Sequence, residues 1–208
     1  MPGFLDIATT SGVREAQQAN GSAEFWTAHA DDRVFDSFGA AEAEFIAGRD
    51  SFYLASVSET GWPYVQHRGG PPGFLKLLDE RTLGIADFRG NRQYITLGNL
   101  AGSDRVALFL MDYPRKARLK IFAHAEAADL AARPDLARQL SVPGYRAKVE
   151  RGLLFHLEAF DWNCPQHITP RFSEAELAPA LAPLRARLAE LEQENEMLRA
   201  RLAPEQGA

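Results

Sequence analysis

Between Ser51 and Trp162 apolar residues recur at alternate positions in short runs broken by turn residues, the period of strands with one face in a core. Ser51 to Ser58 is joined through Glu59-Thr60-Gly61 to Trp62 to Arg68, a hairpin with glycine in its turn. Leu75 to Leu78, the turn Asp79-Glu80-Arg81 and Thr82 to Phe88 predict a second hairpin. Arg105 to Met111 and Arg118 to Ala128 read as two longer strands, and Leu153 to Trp162 as the last. Short helices are predicted over Ala40 to Ile46, Arg92 to Leu100, Pro134 to Leu140 and Gly144 to Arg151. Strands at hairpin spacing, with few long helices between them, predict a mainly β protein. An antiparallel β-barrel with flanking helices suits that pattern better than a parallel βαβ sheet.

The two ends differ from this middle. Ala8 to Gly21 is small and polar, an N-terminal arm whose docking would fall to Phe25, Trp26 and Phe35. At the other end Leu177, Leu181, Leu184, Leu188, Leu191, Asn195, Leu198 and Leu202 follow one another in steps of four and three, a coiled-coil seam. With Leu181 at position a, Asn195 also falls at a, where asparagine favours a defined register and a paired state. Pro179 and Pro183 are awkward inside a helix, so regular helix is expected mainly from Leu184 onward. The polar faces leave a narrow apolar stripe, which suits self-association better than packing on the barrel. The expected division is an arm over 1–36, a barrel domain over 37–172 and a coiled-coil tail over 173–208.

Composition narrows the function classes. Of 208 residues, 46% are hydrophobic and 25% charged, ordinary for a globular chain, and the net charge of −5 argues against broad nucleic-acid binding. Cys164 is the single cysteine, so no intramolecular disulfide can form and no cysteine-histidine metal spacing exists. It reads as a small packing residue. No metal site is expected. Residues 1–18 lack a cationic region followed by an apolar run, and no stretch approaches the ~20 apolar residues that span a bilayer. A cytoplasmic protein with no membrane partner is the expectation.

Cations gather within this acidic chain. His67, Arg68 and Lys76 come from one hairpin region, and Arg89, Asn91 and Arg92 from the next. The strand ending in Ile85-Ala86-Asp87-Phe88 runs into the turn Arg89-Gly90-Asn91-Arg92-Gln93, which opens a helical segment. Backbone N–H groups at a helix start with arginines beside them suit a phosphate. A solvated turn is the competing reading for this turn taken alone.

Two other segments change the odds: Tyr64-Val65-Gln66-His67-Arg68-Gly69-Gly70-Pro71-Pro72-Gly73-Phe74-Leu75-Lys76, and Trp162-Asn163-Cys164-Pro165-Gln166-His167-Ile168-Thr169-Pro170-Arg171-Phe172. Together with the turn, in this order and spacing, the chain from Phe38 to Phe172 resembles the pyridoxamine-phosphate-oxidase-like family of FMN-binding split β-barrels. The resemblance implies a split antiparallel barrel, FMN as cofactor, and a homodimer with the flavin between two barrels. It places Arg68 and Lys76 near the family's phosphate-binding arginine and lysine, with the choice between an inward His67 and an inward Arg68 left open by the Gly-Gly-Pro-Pro-Gly insertion. Asn91-Arg92-Gln93 aligns with a turn of one small and two basic residues; only Arg92 keeps the charge, and Arg89 is a substitute for the other. Ala86 and Asp87 fall along the ribityl chain. Arg118 falls where the family has a glutamine facing the isoalloxazine, although a plain surface arginine is the competing reading. Trp162, Gln166 and Arg171 match the ring-binding run.

The oxidase's own substrate-phosphate set is not evident, and the long tail departs from the oxidase. A relative acting on another small-molecule substrate is therefore expected, and the leading reading is an FMN-dependent oxidoreductase. The alternatives are a non-enzymatic flavin or haem protein for binding, storage or sensing, with His67 or His124 as iron ligand, and a scaffold whose working part is the coiled coil.

Overall fold

The computed structural model describes residues 3–28, 36–162 and 165–202. Phe35 and Cys164, on which two expectations rested, lie outside them. Three short helices, α1 (Phe4–Ala8), α2 (Ser11–Ala19) and α3 (Ala23–Ala28), come first, and α4 (Ala40–Ala47) follows. Then come β1 (Ser51–Val57), β2 (Pro63–Gly69), β3 (Lys76–Asp79), β4 (Thr82–Phe88), α5 (Ile95–Gly102), β5 (Arg105–Asp112), β6 (Ala117–Ala128), α6 (Pro134–Leu140), β7 (Val149–Trp162) and α7 (Glu174–Leu202). The chain divides into two compact units, Met1–Ile168 and Thr169–Ala208.

The seven strands form one antiparallel sheet in the order β2-β1-β5-β6-β7-β4-β3. Among the described residues β2 and β3 are its edges and no ladder joins them, so the barrel is split. Alternation sets the core: Phe52 and Leu54 of β1, Val106, Leu108 and Leu110 of β5, and Leu119, Ile121 and Ala123 of β6 point inward and are buried. Strand β7 is apolar on both faces. Leu153 and Phe155 enter the main core, while Leu154 packs with Ala86, Ala128 and Leu140 under α6. Gly84 permits that approach, since a Cβ there would lie 2.7 Å from Leu140 Cδ2.

Four expectations need correction. The helix expected from Arg92 begins only at Ile95, because Arg92 and Tyr94 hold left-handed backbone. The segment from Gly144 is not helical: Gly144 turns at φ +80°, and β7 already begins at Val149, because Val149 pairs with Phe88 and Arg151 with Asp87. The last helix starts at Glu174 and contains both Pro179 and Pro183. No residue of α7 is buried, so water can satisfy the carbonyls that the prolines leave without donors. The arm is helical, and its buried anchor is Phe4, which stacks on Phe122 at 4.3 Å, whereas Phe25 is exposed.

Candidate functional site

Strands β2 and β4 approach across the split, and a pocket opens between them and the turn before α5. Its walls include Gln66, His67 and Arg68 of β2, Ala86 and Asp87 of β4, Gly90, Asn91, Arg92 and Tyr94 of the turn, Thr96 of α5 and Glu150 of β7. Helix α5 is pinned in place by two side-chain bonds: Thr96 Oγ1 donates to Gln66 Oε1 at 2.9 Å, and buried Asn99 donates to Ser56 Oγ at 2.9 Å. The pocket has a cavity volume of about 170 Å³.

An ion-pair chain crosses the pocket floor. Arg68 Nη1 donates to Asp87 Oδ1 at 2.5 Å, Arg151 Nε lies 3.4 Å from Asp87 Oδ2, Arg151 Nη2 meets Glu150 at 3.2 Å, and Arg89 Nε meets Glu150 at 2.8 Å. Burial pushes the Asp87 carboxyl above its ordinary value, against the opposing pull of Arg68 and Arg151. Glu150 is held below its ordinary value, first by the hydrogen bond from Arg89 and then by those from Tyr94 and Arg151. Arg68 Nε is buried without a hydrogen-bond partner among the described residues. A buried cationic donor without a partner is a group that an anion could satisfy.

The turn itself is strained. Arg92 (φ 60°) and Tyr94 (φ 55°) both hold left-handed backbone, a conformation that costs a side-chain-bearing residue on the order of 1 kcal/mol or more and that clusters at ligand sites. Tyr94 is kept there by its hydroxyl on Glu150 at 3.3 Å and by the Arg151 guanidinium 5.2 Å from its ring centre. Asn91 Oδ1 accepts the Gln93 N–H at 3.1 Å, closing the turn.

Of the residues singled out by sequence, the pocket gathers His67, Arg68, Ala86, Asp87, Asn91 and Arg92. Arg89 and Gln93 brace the turn from outside its walls. Lys76 begins β3 opposite Gly84, and Arg118 lies on β6 opposite Met111, both away from the pocket walls. Trp162 ends β7, where its Nε1 donates to Glu42 at 2.7 Å and its ring meets Phe45 edge-on at 4.8 Å. Gln166 is exposed beyond β7, and Arg171 belongs to the second unit. Sequence reading passed over Glu150, Arg151 and Tyr94. Reading Val149 to Arg151 as strand would have set Arg151 opposite Asp87 and exposed the first two.

Residues 38–151, more than half the chain, match the family model described as pyridoxamine 5'-phosphate oxidase. Among solved structures the chain is similar to a Clostridium acetobutylicum protein related to general stress protein 26, of the pyridoxinephosphate oxidase family, at 14% identity over 64% of this chain and 92% of that one, with a TM-score of 0.44. It is similar also to HupZ of Group A Streptococcus (14% identity, 65% and 100% covered, TM-score 0.45) and to a FAD-binding protein of Mesorhizobium loti (12% identity, 61% and 94% covered, TM-score 0.44). No curated protein matches.

Proposed function

The chain belongs to the pyridoxamine 5'-phosphate oxidase family, and on that premise we propose that it is an FMN-binding oxidoreductase acting on a small substrate. The observation that carries this reading is the buried, unpartnered Nε of Arg68 in a wall shared with Arg92 and Asn91. Arg68 and Arg92 share the pocket walls with Asp87 and Glu150, and Arg89 and Arg151, outside those walls, pair with the same two carboxylates, which leaves a net positive charge that suits a phosphate. Arg68 and Arg92 would hold the phosphate, and Asn91 with the turn's backbone would orient it. When bound, FMN would supply hydride and electron chemistry, and the chain would supply placement and charge.

Whole-ligand pockets usually run from about 300 to 1,000 Å³. A cavity of about 170 Å³ suits the phosphate end alone, so the ring would need walls from elsewhere. That supports a homodimer in which a second barrel completes the site. Removing the residues after Arg171 would then leave a dimer that still binds FMN.

Titration of purified protein by flavin fluorescence tests the cofactor. FMN is expected to bind tightly and FAD poorly, since the chain has no Gly-x-Gly-x-x-Gly turn. Tight FAD binding without FMN binding, or a Soret band in place of flavin bands, would overturn the reading.

A further inference from the structure

Helix α7 buries none of its residues, and its leucine seam stands open: Leu184 is 67% exposed and Leu188 57%. With Leu181 at a, position a also holds Leu188, Asn195 and Leu202, and position d holds Leu177, Leu184, Leu191 and Leu198. Both prolines fall outside the seam, Pro179 at f and Pro183 at c, so the apolar stripe runs unbroken past them. We infer that α7 pairs with α7 of a second copy of this chain as a parallel, in-register, two-stranded coiled coil. The inference does not depend on the flavin reading.

Charge complementarity selects a second copy as the occupant. The positions flanking the seam alternate in sign by heptad: Arg185 and Arg187, then Glu192 and Glu194, then Arg199 and Arg201. In a parallel pair the g residue of one heptad faces the e residue of the next on the other helix. Arg187 then meets Glu192 and Glu194 meets Arg199, each twice by symmetry. In the single helix Arg187 turns instead to Glu190, an exposed contact at 2.9 Å that contributes little.

Orientation is decided by Asn195. An antiparallel pair with all leucine layers matched also joins opposite charges, Arg187 to Glu194 and Arg185 to Glu192. It sets each Asn195 against Leu184, however, leaving two amides without partners in the seam. The parallel register sets Asn195 against Asn195, where each amide can serve the other. Parallel pairing also holds the two Thr169 ends near each other, which raises the effective concentration of one globular unit for the other.

Cysteine cross-linking in the full-length protein tests this, with the wild type and its single Cys164 as background. Under a glutathione buffer, Leu188→Cys, at an a position that leaves Asn195 in place, is expected to give covalent dimer several-fold above wild type. Gln193→Cys, at the outward f position, should stay at background. Adding Arg187→Glu to the Leu188→Cys chain should lower the yield several-fold, and adding Glu192→Arg as well should restore it. Equal yields at 193 and 188 would mean unpaired tails meeting at random and would overturn the inference. Cross-linking only when Leu191→Cys accompanies Leu188→Cys would establish the antiparallel register and overturn the orientation. No dimer from any variant would overturn the pairing itself, as would failure of Glu192→Arg to rescue.

Discussion

Arg68 and Asp87 meet at 2.5 Å although four strands separate β2 from β4 in the hydrogen-bonded order of the sheet. Their ion pair joins the two sides of the split where no backbone ladder does, and the candidate site lies against it. Asp87 therefore has two roles in tension. It holds Arg68 in place, and it neutralises part of the charge that an anion would meet.

This tension has a pH signature. Because the folded-state value of Asp87 is raised, the group adds stability as pH falls from above that value towards the ordinary 3.8, and that stability is lost as pH rises. The stability of the wild type relative to Asp87→Asn should therefore increase with acid over that window, by at most about 1.4 kcal/mol per pH unit. Urea denaturation of both proteins across the window measures it, and a wild-type advantage that shrinks with acid would contradict the burial argument.

Glu150 should behave in the opposite sense. Its folded-state value is lowered, so its contribution is complete above the ordinary 4.5 and is lost as pH falls through the lowered value. Glu150→Gln should be less stable than wild type near neutrality, and the two should converge below pH 4.5. Thermal unfolding at matched ionic strength is the check; a gap that widens with acid would mean that Arg89, Tyr94 and Arg151 do not favour the charged form.

Arg92→Ala removes one charge-assisted contact from the proposed phosphate cradle. FMN affinity should fall by about 1.5–3 kcal/mol, roughly one to two decades. Riboflavin, which lacks the phosphate, should hardly respond. Equal losses for the two ligands would show that Arg92 acts on the fold of the turn instead.

For Trp162 the structure supplies a structural partner. Phenylalanine there keeps the contact with Phe45 and loses the bond to Glu42, whose other oxygen still accepts the Gly39 N–H at 2.9 Å. Trp162→Phe should lower stability by about 1–3 kcal/mol and leave FMN affinity unchanged. A stable variant with weakened FMN binding would assign the indole to the cofactor.

Elements whose signal is local were legible in the chain. Thr82–Phe88 and Pro134–Leu140 have the bounds that alternation and the proline start indicate, and the leucine spacing marks α7. The start of β7 was not legible. Val149 to Arg151 is mostly polar, and it is extended only because Phe88 and Asp87, some sixty residues earlier, lie beside it. Glu150 and Arg151 were missed for the same reason.

Sequence alone determined the mainly β class, the family and the turn with its cations, because strand period, turn chemistry and residue spacing are properties of neighbours along the chain. Tertiary structure decided which of those cations share a pocket. Arg68, Asp87 and Arg92 come together while Lys76 and Arg118 do not, since strand order and the position of the split set those distances. It also shifted the titration of the pocket's carboxyls. Burial raises Asp87 against the pull of Arg68 and Arg151 on other strands, and Arg89 on the turn lowers Glu150 from some sixty residues away, so no local pattern encodes either.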